Sequence, residues 1–304
     1  MSVTAVEHKY ESEVYRSREG RHLLHNLYRK LLAELNVPLA ERMVKTDFGD
    51  THVMLYGHPA GRPVLVFYGE YALNPLAVRP LVRGLDLNRF RLIVPDPVGQ
   101  VGFSTEKRLS FSRAEYGEWA CQVMDALELS AAPVLGCSFG AGIALQLCET
   151  SVLRIERLLL VMPSGLAGVS TLSGIIRLAR EAQKKNVLTA DGVKKALQSV
   201  WPFPPADVTD AIRMLMLHAK AENGTVNYFS RKSLRKLNAP VCVIAEKSDA
   251  LFPGEAVIER AQKIIPYLKE FHLLSTGGGH CCLFAPDEQA GCFTAMSDFI
   301  LAAT

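Results

Sequence analysis

The chain has 304 residues, 49% of them apolar and 21% charged. That is the balance of a globular body with a deep core, and it excludes a disordered, collagen-like or coiled-coil chain. The 34 basic against 31 acidic side chains leave +3, too little for the concentrated positive surface that a phosphate backbone requires, so no nucleic-acid partner is expected.

Residues 1–21 are charged throughout and carry no apolar h-region, which predicts a cytoplasmic protein. Over 21–35, Leu23, Leu24, Leu27, Leu31, Leu32 and Leu35 recur at three- and four-residue steps, the period of an amphipathic helix. This helix forms an N-terminal arm over 1–40. Two short runs follow, 43–48 and 51–56, split by Gly49 and Asp50, and this turn pair predicts a hairpin.

From Val64 the texture changes to apolar runs at 64–68, 91–95, 132–137, 157–163, 240–246 and 270–275, with helical stretches such as 113–127 and 141–150 between them. This βαβ rhythm implies one mainly parallel sheet with helices on both faces. The rhythm stops between Ser164 and Arg235, where 175–184, 191–200 and 208–221 read as helices and Pro202, Pro204 and Pro205 act as breakers. A helical cap over 165–232 is therefore expected, inserted into a core built from 41–164 and 233–304. Its apolar residues, Trp201, Phe203 and Leu215 among them, mostly pack cap to core, and the remainder are available to a pocket. Uncharged stretches at 129–148 and 158–176 are broken by proline and glycine, so no membrane helix is expected. Seven cysteines without a C-x-x-C pair point to free thiols in a reducing compartment.

Gly136, Cys137, Ser138, Phe139 and Gly140 form G-x-S-x-G. Average glycine usage makes a chance match in a chain of this length about one in ten, so position carries the argument. An apolar strand runs into the motif and a helix with Ile143, Leu145 and Leu147 follows. In that setting the serine occupies a tight elbow that lifts its hydroxyl above the sheet.

A serine hydroxyl needs a base and an orienting carboxylate. Loops at the carboxyl ends of the strands converge on such a site. The strand ending at Glu246 leads to Asp249, and the last strand leads through three glycines to His280. The order Ser, Asp, His fits. The plain alternatives are a helix N-cap for Asp249 before Pro253 and a glycine-turn histidine for His280. His8, His22, His25, His52, His58, His218 and His272 read better as surface or core histidines. The rival acid position after Pro163 offers only Ser164.

Attack on an ester carbonyl places negative charge on oxygen, which two backbone N–H groups would receive. The expected donors are Phe139, at the start of a helix, and Glu70, in the loop after the run at 64–68, with Gly69 permitting close approach. Gly69, Tyr71, Cys137, Phe252 and Cys281 neighbour these residues and are the candidate pocket positions. The loop bearing Asp96, Gly99, Gly102 and Ser104 lacks dinucleotide and Walker spacing and reads as pocket wall. His280, Cys281 and Cys282 are adjacent and do not make a chelate, so neither metal nor cofactor is expected.

Taken in order, GCSFG (136–140), PDPVGQVGFS (95–104), SDALFP (248–253) and GGGHCCLFAPDE (277–288) resemble the α/β-hydrolase superfamily from residue 43 onward. TDFGDTHVMLYG (46–57), with its preceding helix, resembles bacterial carboxylesterase-like members with a helical lid. Two departures stand out: Tyr68-Gly69 replaces the usual His-Gly, and Val101 lengthens the Gly99 loop. The resemblance implies an α/β-hydrolase fold. A serine nucleophile argues against the dehalogenase and epoxide hydrolase branches. It further implies a serine hydrolase acting on a small-molecule carboxylic ester, thioester or lactone. The alternatives are a carbon–carbon bond hydrolase, perhydrolase or tailoring enzyme on the same three residues, or a small-molecule receptor without catalysis.

Overall fold

The computed structural model describes residues 10–69, 72–167, 189–198, 200–220, 228–284 and 290–302. Eight strands form one sheet: β1 (Leu39–Thr46), β2 (Gly49–Gly57), β3 (Arg62–Phe67), β4 (Phe90–Pro95), β5 (Ala132–Cys137), β6 (Ile155–Val161), β7 (Val241–Glu246) and β8 (Leu268–Leu274). Their order is β1-β2-β4-β3-β5-β6-β7-β8. β2 pairs antiparallel with β1 and β4, and the pairs from β4 through β8 are parallel.

The central strands are continuous apolar runs because both faces are covered; every residue of β7 is buried. The α-helices among the described residues are α1 (Arg18–Leu35), α2 (Asn74–Ala77), α3 (Arg79–Gly84), α4 (Glu115–Ala126), α5 (Phe139–Thr150), α6 (Ala190–Leu197), α7 (Ala206–His218), α8 (Gly254–Ile264) and α9 (Ala290–Leu301).

α5 is apolar nearly all round and is buried from Phe139 to Cys148, as a helix sealed between the sheet and another helix must be. Burying Ile143, Leu145 and Leu147, all 0% exposed, contributes roughly 1.5–3 kcal/mol each. α4 closes over it at Gly117, where a Cβ would stand 2.3 Å from Thr150 Oγ1.

Two sequence expectations are corrected at element ends. The hairpin turns at Asp47 and Phe48, not at Gly49 and Asp50, and Thr46 faces Gly49 across it. Thr46 Oγ1 accepts from Phe48 N and donates to Gly49 O, and Gly49 takes φ +112°, where glycine alone is unstrained. The helix expected to run to 221 stops at His218. Ala219 is extended there and bridges Tyr15.

Arg16 N donates to His218 O and Lys220 N to Val14 O, which sews the arm to the end of α7. Arg79 of α3 pairs with Asp207 of α7. The expected helix at 175–184 lies outside the described residues. Of the apolar residues expected in the cap, Trp201 and Leu215 are buried while Phe203 is 86% exposed. Among the described residues no helix is long and apolar enough to cross a membrane.

Candidate active site

β5 delivers Ser138 to the carboxyl edge of the sheet with φ 52° and ψ −121°, a conformation that costs a non-glycine residue about 1–3 kcal/mol. The surroundings fix it. Ser138 N donates to Val161 O at 3.0 Å, and Ser138 O accepts from Ala141 N, Ser164 N and Ser164 Oγ. The flanking glycines are needed for space: a Cβ at Gly136 would meet Ala141 Cα at 2.6 Å, and one at Gly140 would meet Phe67 O at 2.2 Å. Ser164, at the rival acid position after β6, has its contact with the elbow carbonyl.

Ser138, His280 and Asp249 meet. His280 Nε2 lies 2.9 Å from Ser138 Oγ and Nδ1 lies 2.8 Å from Asp249 Oδ2. The Asp249 side chain is fully buried and that of His280 is 12% exposed. Asp249 Oδ1 accepts from Leu251 N at 2.8 Å and Phe252 N at 3.0 Å. The carboxylate therefore does two things: one oxygen holds the backbone of its own turn and the other faces the imidazole. The N-cap of the helix that follows is Pro253, so Asp249 is not the helix cap. The ring of Phe252 packs edge-on against His280 at 5.3 Å, and His280 N donates to Val200 O at 2.8 Å.

Phe139 opens α5, so its N–H belongs to the first turn, where no carbonyl of the helix can receive it. A Cβ added to Gly69 would lie 3.4 Å from Ser138 Cβ and 3.8 Å from Ser138 Oγ, so the Gly69 backbone borders the hydroxyl. Glu70 and Tyr71 lie outside the described residues. Cys137 and Cys281 are partly buried, and burial pushes both thiols up to about 12. They stay protonated near neutrality and do not compete as nucleophiles.

The glycine loop at 95–104 carries a buried polar cluster. Asp96 Oδ1 accepts from Tyr28 OH, Tyr68 OH and Asn74 Nδ2. Its Oδ2 accepts from Phe103 N and contacts His52 Nδ1 at 2.9 Å. Tyr68, standing where the resembled family has histidine, thus ties the end of β3 to β4. Burial, reinforced by Asp96, raises its phenol well above the ordinary value, so it remains a donor.

Among the described residues one group of three metal-type donors occurs, Cys242, Glu270 and His272, with ligand atoms within 4.8 Å of one another on β7 and β8. None of the three is hydrogen-bonded to Ser138, Asp249 or His280.

The alpha/beta hydrolase fold family matches residues 62–285, spanning every strand from β3 to β8. The chain is an α/β hydrolase. This hydrolase is 23% identical over 237 residues to carboxylesterase YbfK of Bacillus subtilis, covering 73% of this chain and 76% of that one. It is 41% identical over 118 residues to 2-hydroxymuconate semialdehyde hydrolase of Pseudomonas sp., covering 38% of this chain and 40% of that one. Among solved structures it superposes on carboxylesterase CesB (YbfK) from Bacillus subtilis with a TM-score of 0.78 at 18% identity, covering 94% of this chain and all of the other.

Proposed function

We propose that this α/β hydrolase cleaves a carboxylic ester, or a related thioester or lactone, through an acyl-enzyme on Ser138. The observation that carries the reading is the pair of contacts on one imidazole, 2.9 Å to Ser138 Oγ and 2.8 Å to Asp249 Oδ2. Neutral His280 takes the hydroxyl proton at Nε2 as Ser138 Oγ attacks the carbonyl carbon. Asp249 holds the Nδ1–H tautomer and offsets the charge that forms on the ring. The N–H groups of Phe139 and Glu70 receive the oxyanion, the first with the N-terminal dipole of α5 behind it. The imidazolium then protonates the departing alkoxide. Water, deprotonated in turn by His280, releases the acid and restores the serine. Ester and water are the only reactants.

Residues 165–232 are assigned to a cap above this centre, with Gly69, Tyr71, Cys137, Phe252 and Cys281 bordering the acyl site. The seven free thiols suit a reducing compartment, and the cytoplasm is the proposed location.

A carbon–carbon bond hydrolase is the second reading, favoured by the 41% identity to 2-hydroxymuconate semialdehyde hydrolase over 118 residues. The test is labelling by a fluorophosphonate probe, followed by turnover of p-nitrophenyl acetate, butyrate and octanoate beside 2-hydroxymuconate semialdehyde. Labelling that vanishes in Ser138→Ala, with ester turnover, is expected. Turnover of the semialdehyde alone would favour the second reading, and ligand binding without labelling would leave a receptor.

A further inference from the structure

Glu246 ends β7, three residues before Asp249, and is 0% exposed. A carboxylate has no reason to sit at the end of a fully apolar strand unless its lone pairs are taken up there. Oε1 accepts from Ser248 N at 3.2 Å and Ser248 Oγ at 2.8 Å. Oε2 accepts from Thr276 N at 3.1 Å and Thr276 Oγ1 at 2.9 Å. Ser248 belongs to the turn that carries Asp249, and Thr276 to the loop that carries His280. One carboxylate therefore divides its two oxygens between the acid turn and the base loop.

The connection reaches closer to the imidazole through both hydroxyls. Ser248 Oγ accepts from Gly279 N at 3.2 Å, and Thr276 Oγ1 accepts from Gly278 N at 3.0 Å. Glu246 O also accepts from Asp249 N at 3.1 Å. The loop so held needs holding: Gly277 and Gly279 take φ +69° and +62°, and a run of three glycines has little conformational preference of its own. Burial draws the Glu246 carboxyl up, but its four donors outweigh that and keep it below its ordinary value, so it is anionic near neutral pH.

We infer that Glu246 is a positioning residue, whose carboxylate clamps the acid turn to the base loop and thereby sets the separation at which Asp249 and His280 meet. The role rests on the serine hydrolase reading above. Its physical basis is that a reacting group misplaced by about 1 Å costs on the order of 100-fold in rate even when the fold survives. Glutamine tests it because it keeps size and shape but replaces one acceptor oxygen with an NH2. Whichever way the amide turns, that NH2 faces a backbone N–H, of Ser248 or of Thr276.

The experiment compares Glu246→Gln with wild type for thermal midpoint, fluorophosphonate labelling rate, and the p-nitrophenol burst from p-nitrophenyl acetate per labelled site. The expected result is a folded protein still labelled at Ser138, with acylation per labelled site slowed roughly 10- to 100-fold and KM within about twofold. A purely structural glutamate would lower the midpoint or the number of labelled sites and leave the rate per site unchanged, and that outcome overturns the role. Thr276→Val and Ser248→Ala each remove one hydroxyl of the clamp and carry the test should Glu246→Gln not fold. Each is expected to slow acylation about 3- to 10-fold, and wild-type rates in both overturn the role. Labelling that persists in Ser138→Ala would instead sink the hydrolase reading, whatever Glu246 does.

Discussion

The Cα of Gly140 lies so close to β3 that a Cβ built on it would be 2.2 Å from Phe67 O. α5 and the strand leading to Gly69 are therefore in backbone contact directly beneath Ser138. Gly140→Ala must push the helix away. The expected cost is about 1–3 kcal/mol of stability, with slower labelling of Ser138 as the elbow shifts; a urea midpoint equal to wild type would contradict the contact.

Asp249→Asn keeps a carbonyl oxygen for Leu251 N and Phe252 N, so the turn should persist. What it loses is the acceptor for Nδ1–H, which leaves the imidazole free to take the wrong tautomer. A drop in kcat of about 10,000-fold is expected from the equivalent change in such triads, with the thermal midpoint close to wild type. Steady-state kinetics on a p-nitrophenyl ester checks it, and a loss below tenfold would remove Asp249 from the mechanism.

Attack by Ser138 needs a base that accepts the serine proton, so activity is expected to fall in acid. On the acid limb kcat/KM is expected to fall about tenfold per pH unit. A profile flat from pH 5 to pH 9 would show that no imidazole acts as base.

His52 predicts a separate pH effect, on stability. Burial alone would depress this imidazole, but the carboxylates of Asp96 on Nδ1 and Glu41 on Nε2 outweigh it and raise its pKa above the ordinary histidine value. Arg29, bonded to Glu41, is the nearby cation. A folded-state value above the unfolded one means that His52⁺ contributes fully below about pH 6.5 and that this contribution is lost as pH rises through the folded value. Thermal midpoints at pH 6 and pH 9 should fall further in wild type than in His52→Gln. Equal falls would show that the pair carries no linkage.

The central strands were legible because each is a short apolar run closed by turn residues, and the observed strands lie within two residues of the sequence runs from β3 onward. The hairpin was harder. Gly49 draws the eye as the turn, whereas the turn is made by the side chain of Thr46 and Gly49 merely supplies the positive φ that follows it. Ser138, Asp249 and His280 could be picked out since each follows a strand in a fixed order.

Ser164 and Glu246 could not be found that way. The Ser138 carbonyl that Ser164 contacts lies 26 residues away and the Thr276 end of the Glu246 clamp lies 30 residues away, and neither spacing has a period or motif. A charged residue closing an otherwise apolar strand was the one visible hint of Glu246. Tyr68 was conspicuous as a departure from His-Gly, but its hydroxyl partner, Asp96, is decided by the packing of β3 beside β4.

The Asp96 cluster has a consequence for how this chain can vary. Its donors come from α1, β2, the end of β3, α2 and the glycine loop, so a change at Tyr28, His52, Tyr68 or Asn74 strands part of a buried negative charge. Drift at any one of these positions is tolerated only with compensation at another. They are therefore expected to change together as a set.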